Sequence, residues 1–254
     1  MLFEKSKNKG DYEKKIISEM KTATSEIARI TAEMHEGLSS LKGKEFEPIF
    51  IGKEYTHKIR SDALDMVKAI SDYNIDLKVG IEIKSSNELC KSLENLLEKI
   101  DINKIEGSMA IRVHGDFHLG QILKTVRGPM IIDFEGEPLR TDRERSSKQS
   151  PMKDVAGMIR SIDYVLNFSV QNMGGNSELA RKESNILRNI FLEEYWNSAA
   201  GLNLIPSSFV KFEKSSEYFE LEKAIYELNY ELKNRLEWVG IPGNAIVKII
   251  QMMR

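Results

Sequence analysis

Over most of its 254 residues the chain repeats apolar side chains at three- and four-residue steps, and that rhythm is replaced only once, between Met109 and Ile132. Ile16, Met20, Ala23, Ile27, Ile30, Met34, Leu38 and Leu41 mark one helical face over about seven turns. Gly43 stops the pattern and Pro48 bars its return. The same spacing predicts helices near residues 59–70, 87–100, 152–171, 177–200 and 216–237. In the central interval, Met109-Ala-Ile-Arg-Val113 reads as a short strand. Ile122-Leu123 and Met130-Ile-Ile132 flank Val126-Arg-Gly-Pro129, which has the turn chemistry of a hairpin. The polar stretch from Glu135 to Pro151 reads as a surface loop. The expected fold class is mainly α with a small β-hairpin insert (α+β), in one domain over residues 1–254.

Composition excludes several function classes. The formal charge of −2 gives no basis for bulk binding to nucleic acid or anionic membranes. No apolar run approaches the roughly 20 residues that span a bilayer, and the first residues lack a signal peptide's apolar segment. A single cysteine, Cys90, rules out an internal disulfide and a Cys-based zinc cluster, and fits a reducing cytoplasm.

The chemistry concentrates in the non-helical interval. His114-Gly-Asp116-Phe-His118-Leu-Gly-Gln121 places a carboxylate in a short loop after a strand. Twelve residues past Gln121, Asp133 closes the second hairpin strand, followed by Phe134-Glu135-Gly136-Glu137. A hairpin brings its ends together, so Asp116, Gln121 and Asp133 can converge. Phosphoryl transfer needs such a set: one carboxylate orients a hydroxyl and accepts its proton, while an amide oxygen and a second carboxylate hold Mg²⁺ on the phosphates. Protein kinases write it as an Asp five residues before an Asn, then a hairpin and Asp-Phe-Gly. Glu135 and Glu137 are either metal-adjacent or solvated. The alternation of His114, Asp116 and His118 also admits metal hydrolysis, but Gly115 and Gly120 favour a loop, and the other histidines, His35 and His57, lie in no ligand motif.

These motifs, with Ile131-Ile-Asp-Phe-Glu-Gly-Glu-Pro138 and Ser150-Pro-Met-Lys-Asp-Val-Ala-Gly-Met-Ile-Arg-Ser-Ile-Asp-Tyr164, resemble the maltokinases, including those fused to trehalose synthases, within the aminoglycoside-phosphotransferase-like kinases. The likeness extends to Thr31-Ala-Glu-Met-His35 upstream and to Leu221–Arg235 and Trp238-Val-Gly-Ile-Pro242 downstream. The resemblance implies the helical C-terminal lobe of a protein-kinase-like fold. Residues 109–137 would form the catalytic loop and metal hairpin, and residues 152–254 the acceptor-binding part. It implies transfer of the ATP γ-phosphate to maltose or a related sugar, in trehalose and glycogen metabolism. It assigns Asp116 as catalytic base, Gln121 and Asp133 as Mg²⁺ ligands, and His114 and Asp154 as supports of the catalytic loop. For Asp154 a plain helix-start carboxylate is equally compatible with the sequence. His118 and Glu135 join the substrate-binding candidates.

Helical geometry adds a further set. At 100° per residue Lys223, Tyr226, Glu227, Tyr230 and Asn234 share one face, opposite Leu221, Ile225, Leu228 and Leu232. The first face suits a sugar, which needs directional hydroxyl partners and aromatic planes; the bland alternative is an outer face with two exposed tyrosines. Trp238 either stacks on sugar or packs.

A complete kinase also needs a lobe with a phosphate-covering loop and a cationic side chain. The sixteen glycines include no Gly-x-Gly, and the kinase-like residues begin near position 30. The nucleotide lobe is therefore expected to be absent. The chain is then half of a split kinase completed by a separately encoded N-lobe, a fragment, or a non-catalytic sugar-binding or regulatory partner.

Overall fold

Residues 9–73, 75–79, 82–102, 105–136, 141, 145–173 and 177–253 are described by a computed structural model. Helix α1 (Lys9–Ser40) leads to the short strand β1 (Ile49–Phe50), then α2 (Lys53–Ser71). Strands β2 (Asp76–Val79) and β3 (Glu82–Ser85) precede α3 (Ser86–Lys99), whose first turn is closed by a capping box between Ser85 and Glu88. The central interval holds β4 (Met109–Ala110), a 3-10 turn (Leu119–Gln121), β5 (Ile122–Thr125) and β6 (Gly128–Ile131). Four helices follow: α4 (Met152–Met173), α5 (Ser177–Ala199), α6 (Phe209–Asn234) and α7 (Gly240–Met252). Among the described residues the strands form three antiparallel pairs, β1 with β4, β2 with β3 and β5 with β6. No described helix is long and apolar enough to cross a membrane.

The apolar stripe of α1 is not its most buried face. Thr24, Ile27, Ala28, Thr31, Ala32 and His35 are buried, whereas Ile16, Ala23 and Leu41 are exposed. Small side chains let α1 lie close along α5, and Thr31 turns its hydroxyl back to the Ile27 carbonyl at 2.7 Å, which satisfies it in the core. The larger residues Ile30, Met34 and Leu38 instead edge a groove against Pro129, Ile131 and Phe134 of the β5–β6 hairpin.

At the centre, α4 packs against α5 and α6, and α6 continues onto α2 and α7. Phe191, Tyr195 and Phe212 stack in the core between them. On the other side, α3 binds α2 through Leu89, Leu93 and Leu97 and through Cys90, whose thiol donates to the Val67 carbonyl at 3.3 Å. Burial pushes that thiol up to about 11.

Helix α7 contradicts the expectation that helical structure ends near residue 237. Gly240, Pro242 and Gly243 all occupy its first turn, where proline's missing N–H has no intrahelical partner to lose. The β2–β3 hairpin is likewise additional. The strand read at 109–113 shortens to two paired residues and a bridge from Ile111 to Gln149, which ties the polar stretch back to the core. Of that stretch, residues 137–140 and 142–144, including the candidate Glu137, lie outside the described residues.

Candidate active site

Asp154 lies in the first turn of α4 and is 1% exposed, so its charge must be answered by donors rather than water. It is answered by the loop. Oδ2 accepts the backbone N–H of His114 at 2.7 Å and Oδ1 that of Gly115 at 3.0 Å. Gly115 takes φ +86°, a left-handed conformation open to glycine, and its Cα side faces the Gly136 backbone. Gly157, one turn further along α4, has no Cβ to hold off the loop: a methyl there would stand 2.6 Å from the Phe117 carbonyl oxygen. The loop therefore rests directly on the α4 backbone.

His114 joins this loop to the hairpin. Its Nε2–H donates to the Ile132 carbonyl at 2.9 Å, its Nδ1 receives the Asp116 N–H at 3.4 Å, and its ring packs between Phe117 and Phe134. The Ile132 N–H in turn donates to the Gln121 carbonyl at 3.0 Å. Asp133 follows with φ +65°, a costly value for a non-glycine residue and of the kind found where backbone strain sets up a site. Its Oδ2 accepts from Gln121 Nε2 at 3.0 Å. Gln121 and Asp133 are thus brought together beside the loop that carries Asp116, whose carboxylate has no hydrogen-bonding partner among the described residues.

The donor set fits Mg²⁺ of the type held on phosphates. Among the described residues no group of three or more His, Cys, Asp and Glu gathers to cage a metal. Mg²⁺ keeps water and phosphate oxygens and asks the protein for only one or two ligands. Turning the Gln121 amide over would set its oxygen beside the Asp133 carboxylate, giving such a pair.

A cavity of about 60 Å³ opens against the loop at Gly115 and Phe117. Lys153 of α4 and Phe219, Glu222, Lys223 and Tyr226 of α6 wall it. Lys223 Nζ lies 4.7 Å from the Tyr226 ring centre, and Lys153 Nζ meets Glu222 Oε1 at 3.0 Å. Glu222 Oε2 is buried without a partner among the described residues.

Not all candidates reach this cavity. Glu227 accepts from Nε and Nη2 of the buried Arg160 at 3.1 and 2.8 Å, an ion pair that links α6 to α4. Tyr230 and Trp238 flank the Arg235 guanidinium at 5.3 and 4.5 Å, and Trp238 packs on Tyr164 and Phe168. These three do not line the cavity. His118 caps the 3-10 turn, its Nδ1 accepting the Gly120 N–H at 3.0 Å, and Glu135 is exposed in the turn after Asp133.

Sequence reasoning missed Lys153, Glu222, His35 and Tyr195. Glu222 was within reach, because it stands one helical turn before Tyr226 on the same face. His35 closed one of the likeness motifs, Thr31–His35, but nothing local gave it a role: its Nε2 lies 3.1 Å from Asp154 Oδ2 and its Nδ1 lies 2.8 Å from the hydroxyl of Tyr195, 160 residues further along.

The fold that carries this loop and hairpin is kinase-like. It is shared with glucosamine kinases. Crystal form B of one superposes with a TM-score of 0.75 at 18% identity, over 94% of this chain and 55% of that one. A glucosamine kinase in complex with glucosamine, ADP and inorganic phosphate gives 0.68 at 19% identity, over 91% and 55%. In sequence, 65 residues are 38% identical to the glucosamine kinase of Streptacidiphilus jiangxiensis, covering 26% of this chain and 15% of that protein. A longer stretch of 167 residues is 21% identical to the Mycolicibacterium smegmatis enzyme, covering 65% and 41%. No family model matches the chain. The chain spans about half the length of these solved relatives and less of the two sequence relatives.

Proposed function

We propose that the chain is the catalytic and acceptor-binding lobe of an ATP-dependent sugar kinase, transferring the γ-phosphoryl group to a sugar hydroxyl in the cytoplasm. The observation that carries this reading is the meeting of two segments. The Asp154-clamped loop bearing Asp116 lies against the hairpin bearing Gln121 and Asp133, and Gly115 and Phe117 of the same loop line a polar, aromatic-walled cavity. In this reading Asp116 orients the attacking hydroxyl and takes its proton. Asp133 and Gln121 would hold Mg²⁺, which offsets phosphate charge. Asp154 fixes the loop backbone, and His114 keeps loop and hairpin in register. Lys153, Glu222, Lys223 and Tyr226 offer the acceptor its hydrogen bonds and ring face.

The relatives' names favour an amino sugar, glucosamine, as the first acceptor to try. Maltose, the acceptor implied by the maltokinase resemblance, is the second. The roof over the nucleotide would come from outside these residues, in a separate N-lobe or in a longer parent chain. The test incubates the purified chain with Mg²⁺, ATP and either sugar and looks for sugar phosphate by mass, with Asp116→Ala as control. Product that vanishes in the variant supports the reading. Sugar binding without Mg²⁺–ATP binding, even with candidate lobes added, would replace it with a non-catalytic sugar-binding role.

A further inference from the structure

A second cavity, of about 360 Å³, opens between the first half of α2 and the segment that follows α3, apart from the loop and hairpin. Lys53, His57 and Arg60 line it from one face of α2, at steps of four and three. Glu98 from the last turn of α3, with Asp101 and Glu106 beyond it, supplies the acidic part of the lining. Groups of opposite sign around one small space ordinarily close into pairs. Here neither Glu98 nor Glu106 pairs with Lys53, His57 or Arg60 among the described residues, so each gap exceeds the about 4 Å of an ion pair.

Two of these groups are also left unanswered where water is excluded. Arg60 is anchored by Nη2, which donates to the Ile100 carbonyl at 2.6 Å, while its Nε–H is buried with no partner among the described residues. Glu106 Oε1 is likewise buried and unpartnered. A cation's N–H and a carboxylate oxygen are each costly to bury unmet, and both residues border the same space.

The lining discriminates among guests. A bare anion meets Arg60 but crowds the carboxylates, and a bare metal cation meets the carboxylates but crowds Arg60 and Lys53. An apolar molecule strands every charge. A molecule with an anionic group at one end and a primary ammonium at the other answers both sets at once, with charge-assisted hydrogen bonds. The open gaps between the two sets favour charged ends several bonds apart. We propose that this cavity binds such a zwitterion, a chemistry shared by amino-sugar phosphates and ω-amino acids. The site stands on the cavity alone and does not depend on the kinase reading above.

The test titrates the whole ¹⁵N-labelled chain by NMR with glucosamine 6-phosphate and 4-aminobutyrate, which carry both charges, and with glucosamine and inorganic phosphate, which carry one each. The amides of Thr56, His57, Arg60 and Ile102 report this cavity. Those of Gly115, Gly157 and Tyr226 report the acceptor cavity, which the sugars also enter in the kinase reading. At least one zwitterion should shift the first set with an affinity about tenfold tighter than either single-charge probe, the difference made by one hydrogen bond to a charged group. Whichever zwitterion does so identifies the source. Glu106→Gln should weaken that binding about tenfold. Lys53→Ala, the loss of an exposed side chain that leaves the core intact, should weaken it severalfold. No shift with either zwitterion, shifts confined to the acceptor cavity, phosphate or glucosamine binding as tightly as the zwitterions, or wild-type affinity in Glu106→Gln would each overturn the proposal.

Discussion

Asp116 and Gly157 illustrate two ways in which one residue decides the behaviour of the site. Among the described residues the Asp116 carboxylate has no hydrogen-bonding partner, so Asp116→Asn keeps the shape and removes the base. Turnover should fall by about 10²–10⁴-fold, the usual contribution of a general base, with sugar affinity by calorimetry nearly unchanged. Equal loss of binding would remove Asp116 from the chemical step. Gly157→Ala acts through contact: its new methyl meets the Phe117 carbonyl oxygen at 2.6 Å, an atom fixed in the loop backbone. The strain should be about 1–3 kcal/mol, read as a lowered denaturant midpoint with an unaltered m-value. At this scale the sequence was informative wherever several special residues crowd one short segment, as in residues 114–121. It gave no role for His35, although Thr31–His35 is part of the family likeness, because that residue's partners are set by tertiary packing.

Among the elements, α6 departs most from its amphipathic reading. Glu217, Glu220, Glu222 and Glu231 are all buried, although hydropathy places glutamates on an outer face. Each is answered by a cation: Lys214, Arg188, Lys153 and Arg235 respectively. Periodicity alone cannot show that an arginine on α5 will reach Glu220, because the pairing depends on how two helices come to lie side by side. The consequence is testable. Arg188 holds Glu220 through Nε at 2.9 Å and Nη2 at 2.8 Å, and Arg188→Leu strands that carboxylate in the core. Stability should drop by about 3–5 kcal/mol in chemical denaturation, and the double change Arg188→Leu with Glu220→Leu should recover most of it. The hairpin, by contrast, was legible in place, although the turn read over Val126–Pro129 tightens to Val126–Arg127, with Thr125 and Gly128 paired across it. Short-range turn chemistry needs no knowledge of the rest of the fold.

For the whole molecule, Asp163 is the point at which three helices are fastened. Its carboxylate in α4 receives Arg160 Nη1 at 2.6 Å, the Ser184 hydroxyl of α5 and, at 3.4 Å, Lys248 of α7. Burial by itself would raise its pKa; the Arg160 and Lys248 charges and the hydrogen bonds outweigh that and hold it at about 2. Because the folded value lies below the unfolded one, the stabilisation is complete above about pH 4 and is lost as pH falls toward 2. The amount is on the order of 2 kcal/mol, and Asp163→Asn should flatten that part of the stability curve measured by thermal unfolding between pH 4 and pH 2.

Cys90 closes the α2–α3 side with its sulfur on the Val67 carbonyl and its pKa near 11. At neutral pH about one molecule in ten thousand carries the thiolate, and that one is hidden. A maleimide or disulfide reagent therefore reacts only when α3 lifts from α2, and with a single cysteine in the chain every modified molecule records that event. The protein contains its own clock for the opening of this helix pair, and added sugar or nucleotide will slow it only if binding is felt there.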